Sequence, residues 1–447
     1  MFHLVVTSLF PPSHPSLFPF KTTSKGALTS MVKDFLTRHG MAPEQVDIPL
    51  TCERFLGEIS AGLAGAPSSL LMLPTYLTGH GPLPHGLPVA VIDAGGTNAR
   101  VAKVAFTPQG PVIDHLEVFP IPGSQSPVSG KDFLSVFAQK LLPFIRECVS
   151  IGFCFSFPAE ITPEQDGKIL YFDKEVQVTG AAGMLLIKSL THALQQLGVP
   201  NLRGVVLNDT AAALLGGMAQ TDRAAYDGFL GLIWGTGYNT CYGEPSALSP
   251  GVPSMLINTE SGSFSRVMPG SFDRQLDEAS GDPGTHRFEK MVSGAYLGEV
   301  IRLTLSGAAS EGLLPSSFAV LDHLTTQEAD AFAVAPAGDN PLARLCRSEG
   351  ERDFVYQVVD QLSLRAARLV CANLTALLVR SGLGRRAECP AGIVAEGSTF
   401  YKSKLLRPYL EALLAEFAGE QLGLHYRFLK PENANLVGTA AAALLNH

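Results

Sequence analysis

Two short glycine turns, each set between apolar strands, constrain the fold of this chain more than any other feature. The first lies in VIDAGGTNAR, between predicted strands at 88–92 and 100–106. The second lies in GFLGLIWGTGYNTCY (228–242), about 140 residues further on, and repeats the order of strand, glycine turn and strand. A unit repeated in this way predicts two related lobes.

The rest of the chain alternates between helix and strand patterns, which indicates an α/β fold. A third glycine site, GIVAEGST, ends another predicted strand. Apolar residues recur at helical spacing in several segments, as in DFLSVFAQKLLPFIRECV. The predicted helices cover 31–64, 132–149, 210–219 and 400–417, and further strands are predicted at 151–157 and 202–207.

Composition excludes several classes of protein. The 447 residues are 46% hydrophobic with a net charge of −8, which suits a large folded enzyme and disfavours nucleic-acid binding. No apolar stretch is predicted to span a membrane. Seven scattered cysteines without a CxxC motif favour a reducing compartment, so we expect a cytoplasmic protein. Residues 1–30 are predicted to be a disordered extension, with order beginning near Met31.

The glycine turns suit phosphate binding. Glycine lets backbone approach a ligand closely, and successive N–H groups form a concavity for anions. The chain lacks GxxxxGK[ST], and the first turn is followed by a strand where a Rossmann site needs a helix. A glycine turn between strands is also an ordinary hairpin. Two such turns, one with a carboxylate, favour the phosphate interpretation.

Two aspartates end apolar strands beside these turns. Asp93 precedes the first glycine pair, where a carboxylate would hold Mg²⁺ directly or through water, although it could equally cap its own turn. Asp209 follows the strand LRGVVL, where it could cap a helix or take a proton from a substrate hydroxyl during phosphoryl transfer. The residues alone leave these alternatives open.

Six motifs in order resemble the hexokinase family, eukaryotic type, of the actin-like ATPase superfamily. The resemblance begins near SSLLMLPTYLTG and runs to the C-terminus, over some four-fifths of the chain, and each motif occurs once. The motifs are DAGGTNAR, GFCFSFPAE, LNDTAAAL, GTGYNTCY, FEKMVSGAYLGEVIR and EGSTFYK. The string FEKMVSGAYLGE, which closely resembles the family's own sequence, argues against a bacterial glucokinase and against the repressor-ORF-kinase group.

The resemblance implies a role for particular residues. Asp209 would be the catalytic base, with Lys174 contacting sugar and phosphate. Sugar hydroxyls would be bound by Ser156, Asn208, Asn239, Glu260 and Glu289. ATP would be bound by Asp93, Gly95, Gly96, Thr97, Asn98, Arg100, Gly235, Thr236, Gly237, Gly397, Ser398 and Thr399. Mg²⁺ would reach Asp93 and Asp209 through ATP and water.

Three segments depart from the family pattern. Asp173 stands where the family has threonine before the lysine, and Ser261 replaces a tryptophan after Glu260. The late glycine motif on the nucleotide side is reduced to Gly438 and Thr439. These departures bear on pocket shape and nucleotide affinity, and they leave open a sugar-sensing protein with little catalysis.

The resemblance also implies an architecture and an activity. Two actin-like (ribonuclease H-like) α/β lobes would flank a cleft, with a small lobe of 91–208 plus 436–447 and a large lobe of 31–90 plus 209–435. The activity would be ATP-dependent phosphorylation of a hexose, with glucose first and mannose or fructose next, at the 6-hydroxyl, the first step of glycolysis. Alternatives are a bacterial glucokinase-type sugar kinase and a chaperone-type or filament-type ATPase without sugar-loop residues.

Overall fold

The computed structural model describes residues 26–79, 81–96, 98–172, 176–245 and 254–446. The predicted extension therefore falls outside the described residues except for 26–30. Those residues begin a helix, Gly26–Arg38, so the start predicted near Met31 is corrected. Leu28 packs against the large hydrophobic core, which adds a turn to the helix at its N-terminal end.

Five strands form the first sheet, in the order β10-β6-β2-β3-β4. The strand β2 pairs with β3 in an antiparallel hairpin around the first glycine turn and with β6 in parallel on its other side. The strands are β2 (Val89–Gly95), β3 (Asn98–Thr107), β4 (Gly110–Pro120), β6 (Ser150–Phe155) and β10 (Gly204–Leu207).

Six strands form the second sheet, in the order β1-β13-β12-β11-β14-β15. The strand β11 pairs with β12 around the second glycine turn and with β14 in parallel. The strands are β1 (Leu73–Pro74), β11 (Gly228–Trp234), β12 (Tyr238–Gly243), β13 (Leu256–Asn258), β14 (Ala391–Glu396) and β15 (Tyr426–Leu429). Short pairs β5 (Val128–Ser129) with β9 (Val178–Thr179), and β7 (Ala159–Ile161) with β8 (Gly167–Ile169), complete the described strands.

The two sheets share one topology. In each sheet, three strands consecutive in the chain pair in antiparallel order, and two later strands add in parallel on the other side of the first of them. The second sheet is extended beyond β13 by the short antiparallel strand β1. The carboxyl ends of the parallel strands meet at one edge of each sheet, where ligands of open α/β sheets bind. The repeated topology confirms the two α/β lobes predicted from the repeated glycine turns.

Helices cover the sheets and connect their strands. The α-helices are α1 (Gly26–Arg38), α2 (Ile48–Leu63), α3 (Gly130–Leu141), α4 (Leu186–Gln196), α5 (Asp209–Ala219), α6 (Ser271–Ala279), α7 (Arg287–Val292), α8 (Leu297–Ser310), α9 (Thr326–Val334), α10 (Pro341–Leu345), α11 (Glu349–Ser381), α12 (Ser398–Lys402), α13 (Leu406–Leu414) and α14 (Ala434–Leu445).

Three predicted helices are shorter than expected. The segment 31–64 forms two helices, because a turn at Gly40 with positive φ and Pro43 separate them. The segment 132–149 ends its helix at Leu141, two residues before Pro143, and then enters β6. The segment 400–417 is interrupted after Lys402, where Asp330 accepts hydrogen bonds from Ser403 Oγ and Lys404 N and so caps a new turn.

One described helix, α11, is long and apolar enough to cross a membrane by length and composition, which the sequence had not led us to expect. Most of its apolar stretch is buried inside the protein. It also carries Arg365, which is 3% exposed and pairs with the buried Asp273 of α6. These features are those of the central helix of a folded core.

Two helices cross between the lobes and hold them together. The helix α5 follows the last strand of the first sheet and packs on β11 and β12, whereas α14 follows the last strand of the second sheet and packs on β6 and β2. The two helices also pack on each other, and their contact joins the two sheets in one hydrophobic cluster. Each lobe therefore completes its core with a helix from the other half of the chain.

Glycines allow this crossing. A Cβ atom at Gly216 would lie 2.1 Å from the carbonyl oxygen of Ala434, and one at Gly438 would lie 1.8 Å from that of Ala212. No real side chain tolerates such distances, so the helices meet backbone to backbone. Gly438 and Thr439, the remnant of the late glycine motif, lie in this contact, where Thr439 also packs on Gly152 of β6.

We expect Gly438→Ala to lower the free energy of unfolding by about 3 kcal/mol or more, because the added methyl group forces the two helices apart. The matched control is Gly57→Ala in the middle of α2, where an added Cβ meets no atom within 4 Å. That control should gain about 0.5–1 kcal/mol from helix propensity. Urea unfolding measures both, and equal midpoints for Gly438→Ala and wild type would contradict the close contact.

Candidate active site

The carboxyl ends of β2, β6 and β10 bring three predicted residues to one edge of the first sheet. The strands are parallel neighbours, with Asp93 opposite Cys154 and Cys154 opposite Leu207 in register. Asp93 lies near the end of β2, Ser156 follows β6, and Asp209 follows β10. Asp93 and Asp209 were expected at strand ends and Ser156 was assigned by the family resemblance, and the structure brings all three to this edge.

Asp93 is buried and paired. It lies opposite Arg100 across the β2–β3 hairpin, and Arg100 Nε donates to Asp93 Oδ2 at 2.9 Å. A second hydrogen bond from Arg100 Nη2 reaches the same oxygen. Asp93 is 7% exposed, so this partner compensates a charge that would otherwise be costly to bury. Both residues were predicted on the phosphate side, and the structure makes them an ion pair.

Asp209 begins α5 and is oriented by its neighbours. Asn208 caps the helix by accepting from Thr210 N at 2.9 Å, and Thr210 Oγ1 donates to Asp209 Oδ1 at 3.2 Å. Burial, followed by the charges of Glu260 and Asp93, raises the pKa of Asp209 to about 6. A carboxylate with this pKa is ionised at neutral pH yet accepts a proton more readily than an ordinary aspartate.

The first glycine turn closes against the loop after β6. A Cβ at Gly95 would lie 2.5 Å from Ser156 Oγ, so the turn and the serine touch. Gly96 has φ +65° and open space around its Cα, which leaves the turn accessible to a ligand. Asn98 is exposed at the start of β3.

The second glycine turn is fixed by hydrogen bonds and close contacts with segments that are distant in the sequence. The carbonyl oxygen of Gly235 accepts from Gly294 N and from Thr399 Oγ1, both at 2.8 Å. Gly397 has φ +112°, and a Cβ there would lie 2.3 Å from the carbonyl oxygen of Trp234. The turns after β11 and β14 are therefore in direct contact. Thr236 and Ser398, also predicted on the nucleotide side, are exposed beside them.

Two predicted sugar residues of the large lobe, Asn239 and Glu260, share a hydrogen-bonded group, and the third, Glu289, is bound to the main chain next to Asn239. Glu260 Oε1 accepts from Asn239 Nδ2 at 3.2 Å and from Asn258 Nδ2 at 2.6 Å. Glu289 Oε2 accepts from Tyr238 N at 2.8 Å. The backbone of Glu260 is left-handed, with φ 52°, an uncommon conformation for glutamate.

Sequence reasoning missed Asn258. Its amide donates to Glu260 and its Oδ1 accepts from Asn239 Nδ2 at 2.8 Å, so it joins the two predicted residues. Its position at the end of β13, two residues before Glu260, was the available signal.

Ser261, which replaces the family tryptophan, is fully buried in a hydroxyl network. Thr240 Oγ1 donates to Ser261 Oγ at 3.0 Å and lies 2.8 Å from Thr259 Oγ1. Asn373 of α11 accepts from Tyr238 Oη at 2.8 Å beneath the same strand. The serine is therefore part of the support under Asn239 and Glu260, with its polar atom satisfied.

Burial dominates the electrostatics of the large-lobe carboxylates. It raises the pKa of Glu260, although hydrogen bonds from Asn258 and Asn239 and the charge of His286 oppose the rise. Burial likewise raises the pKa of Glu289 against the hydrogen bond from Tyr238 N. Asp209 is affected by the charges of both Glu260 and Asp93, so carboxylates of the two lobes lie within electrostatic reach of one another.

Two predicted residues, Thr97 and Lys174, lie outside the described part of the chain, as does Asp173, which departs from the family pattern. No group of three or more His, Cys, Asp or Glu side chains among the described residues is arranged to hold a metal ion. Two carboxylates that reach the cleft, Asp93 and Asp209, supply the hard oxygen donors that Mg²⁺ takes while it keeps most of its waters.

Two duplicated α/β lobes, with a buried aspartate and glycine turns between them, define an actin-like ATPase fold. Known proteins agree with this description. The sequence matches the hexokinase family models over residues 22–219 and 229–445. The hexokinase structure from Schistosoma mansoni complexed with glucose superposes with a TM-score of 0.73, covering 94% of this chain and 100% of that one at 24% identity.

Two curated relatives extend the likeness over most of the chain. Hexokinase-1 of Oryza sativa subsp. japonica is 30% identical over 413 residues, which are 81% of this chain and 80% of that protein. Hexokinase-1 of Schizosaccharomyces pombe is 26% identical over 474 residues, which are 96% of this chain and 94% of that protein. The chain belongs to the hexokinase family, a family of sugar kinases.

We expect Asp209→Asn to raise the free energy of unfolding by about 2 kcal/mol near pH 7.5, measured without Mg²⁺, and to leave it unchanged near pH 4. The pKa of about 6 in the folded state lies above the unfolded value, so folding favours the protonated form. Ionisation therefore costs stability as pH rises from about 4 through 6. The isosteric amide avoids that cost.

The matched control is Asp222→Asn. Asp222 is exposed and accepts a hydrogen bond from Ala224 N, and asparagine can make the same capping bond. It should show no pH-dependent gain. A stability difference for Asp209→Asn that does not change between the two pH values would contradict a half-buried carboxylate repelled by neighbouring charges.

Proposed function

We propose that this protein is an ATP-dependent hexokinase that phosphorylates the 6-hydroxyl of a hexose, with glucose the leading substrate and mannose and fructose next. The observation that carries the proposal is the grouping of Asp209, raised in pKa to about 6, with the Asn239–Asn258–Glu260 cluster and Glu289 in one cleft. The glucose complex of the Schistosoma mansoni structure supports glucose as the first choice.

Asp209 would act as the general base. Its carboxylate would accept the proton of the 6-hydroxyl as that oxygen forms a bond to the γ-phosphorus and the bond to the β-phosphate oxygen breaks. Thr210 Oγ1 and the start of α5 orient the carboxylate for this transfer. Lys174, predicted beside sugar and phosphate, belongs to the same proposal.

The large-lobe carboxylates would hold the sugar. A pyranose offers neighbouring hydroxyls that both donate and accept, and carboxylate and amide side chains match them. Glu260 and Asn239 are already fixed by Asn258 and by main-chain N–H groups, so little freedom is lost on binding. Ser156 and Asn208 would complete the contacts from the small lobe.

The glycine turns would hold ATP. The accessible turn at Gly96 and the paired turns at Gly235–Gly237 and Gly397 would let phosphates approach the main chain closely. The carboxylates of Asp93 and Asp209 would lie beside the hydrated Mg²⁺ that accompanies ATP, and carboxylate oxygens are donors that this ion takes. The Arg100 guanidinium would face the phosphates, and bound Mg²⁺ would help to neutralise their charge.

The crossing helices would let the lobes close on sugar. We place the small lobe at 91–208 plus 436–447 and the large lobe at 31–90 plus 209–435. Closure would exclude water and favour transfer to sugar over hydrolysis of ATP. We also propose a cytoplasmic location, because all seven cysteines are free and six of them are buried.

The test is a coupled assay with ATP and Mg²⁺ on glucose, mannose, fructose, glucosamine and N-acetylglucosamine. We expect wild type to form a hexose 6-phosphate and Asp209→Ala to lose at least about a thousandfold in kcat, because the base is gone. Asp222→Ala, which removes an exposed carboxylate beyond the other end of α5, is the control and should retain wild-type activity.

Each other outcome has a clear meaning. Sugar binding without any phosphorylated product would reject the enzyme and favour the sugar-sensing protein. ATP hydrolysis that no sugar stimulates, with no sugar phosphate formed, would favour a chaperone-type or filament-type ATPase.

A further inference from the structure

One fully buried cation lies outside the catalytic group described above. Lys290 is 2% exposed, on the short helix α7 next to Glu289. Its Nζ contacts Asp277 Oδ1 at 2.7 Å, Ser280 Oγ at 2.9 Å and Asp282 Oδ1 at 3.0 Å. A lysine is rarely buried unless it is paired, so this arrangement calls for a function beyond filling the core.

The partners of Lys290 shape the 280–286 loop. Asp277, on α6, also accepts from Gly284 N at 3.0 Å, which ties the far end of the loop back to the same carboxylate. Lys290 Nζ donates to the carbonyl oxygen of Asp282 as well, at 3.0 Å. The cation is thus bound to both the side chain and the main chain of the loop, and we call this group the Lys290 cluster.

The loop ends at His286, which stands at the N-terminus of α7. Its backbone is left-handed, with φ 47°, a strained conformation for a non-glycine residue. Asp282 holds it there, since Asp282 Oδ2 lies 3.1 Å from His286 Nδ1 and also accepts from Thr285 Oγ1 at 2.5 Å. The Lys290 cluster is what fixes Asp282 in turn.

The helix α7 connects the Lys290 cluster to the predicted sugar-binding residues. Lys290 and Glu289 are consecutive, so their side chains leave the helix in different directions, one into the cluster and the other toward Tyr238 N. A helix of six residues does not hold its own position, so its anchors decide where Glu289 lies. His286 affects the same carboxylates, because its charge lowers the pKa of Glu260 and of Glu289 against the rise that burial causes.

We propose that Lys290 is a positioning residue for sugar recognition: its buried ammonium fixes the 280–286 loop and α7, and thereby sets Glu289 and His286 beside Glu260. The inference rests on the proposed function, since it concerns the sugar half of that site. It assigns Lys290 no contact with the sugar or with the reacting atoms.

The test compares Lys290→Met with a matched control, Arg365→Met. Arg365 is also a buried cation, and it pairs with Asp273 of the same helix α6, at 3.1 Å and 2.5 Å, away from the 280–286 loop. Each variant removes a buried cation from its aspartate partners, so both should lower Tm. Only Lys290→Met should raise the sugar KM, by about tenfold or more, with the KM for ATP within about twofold.

If Lys290→Met does not fold, Asp282→Asn tests the positioning role of Lys290 instead. Asp282 is more exposed than Lys290, and the amide keeps the volume and the main-chain contact while it removes the charge that links Lys290 to His286. We expect the sugar KM to rise at least about threefold, with kcat changed less. An unchanged sugar KM in the folded variants, or an equal rise in Arg365→Met, would overturn the proposal.

A direct binding measurement separates this proposal from the proposed function. Trp234 is the single tryptophan, is fully buried, and donates from Nε1 to the carbonyl oxygen of Val292 in α7 at 2.8 Å. Its fluorescence should therefore report glucose binding. Wild type that phosphorylates no hexose rejects the proposed function, whereas a glucose Kd equal in wild type and Asp282→Asn rejects the role of Lys290 alone.

Discussion

The architecture depends on the contact of two helix backbones. The helices α5 and α14 cross where Gly216 meets Ala434 and Gly438 meets Ala212, and any Cβ at either glycine would overlap the partner's main chain. Because each helix also packs on the sheet of the opposite lobe, this contact ties the two lobes together. Asp209 is the first residue of α5, so a helix of this crossing also carries the candidate base.

Much of the fold could be predicted from the sequence, because the spacing of apolar residues and the residues that end helices and strands are local features. The repeated glycine turns predicted the two lobes, and apolar strands ending in Asp93 and Asp209 predicted the edge at which side chains gather. Two of the three helix errors lie at local signals, Gly40 with Pro43 and Pro143, that end a helix within an otherwise helical spacing. The third has no such local signal. The break after Lys402 is stabilised by Asp330, over 70 residues away along the chain, and no local pattern contains that partner.

The site was predicted less completely than the fold, for the same reason. Residue types at strand ends and a family resemblance named Asp209, Glu260 and Glu289, but neither reveals which side chain supports another. Asn258 and the hydroxyl network under Ser261 depend on pairings between β12, β13 and α11 that only the folded chain brings together. The pairing of Asp93 with Arg100 came from hairpin register, which a glycine turn of known length nearly determines.

The exchange of helices between the lobes has a consequence for the order in which the two lobes can fold. The strands of the first sheet are all translated by Leu207, yet one face of that sheet is covered by α14, which begins only at Ala434. A nascent chain therefore carries an apolar sheet face while the strands of the second sheet are being made. The first sheet to be translated is covered only after the second sheet, so its final packing waits for the other lobe.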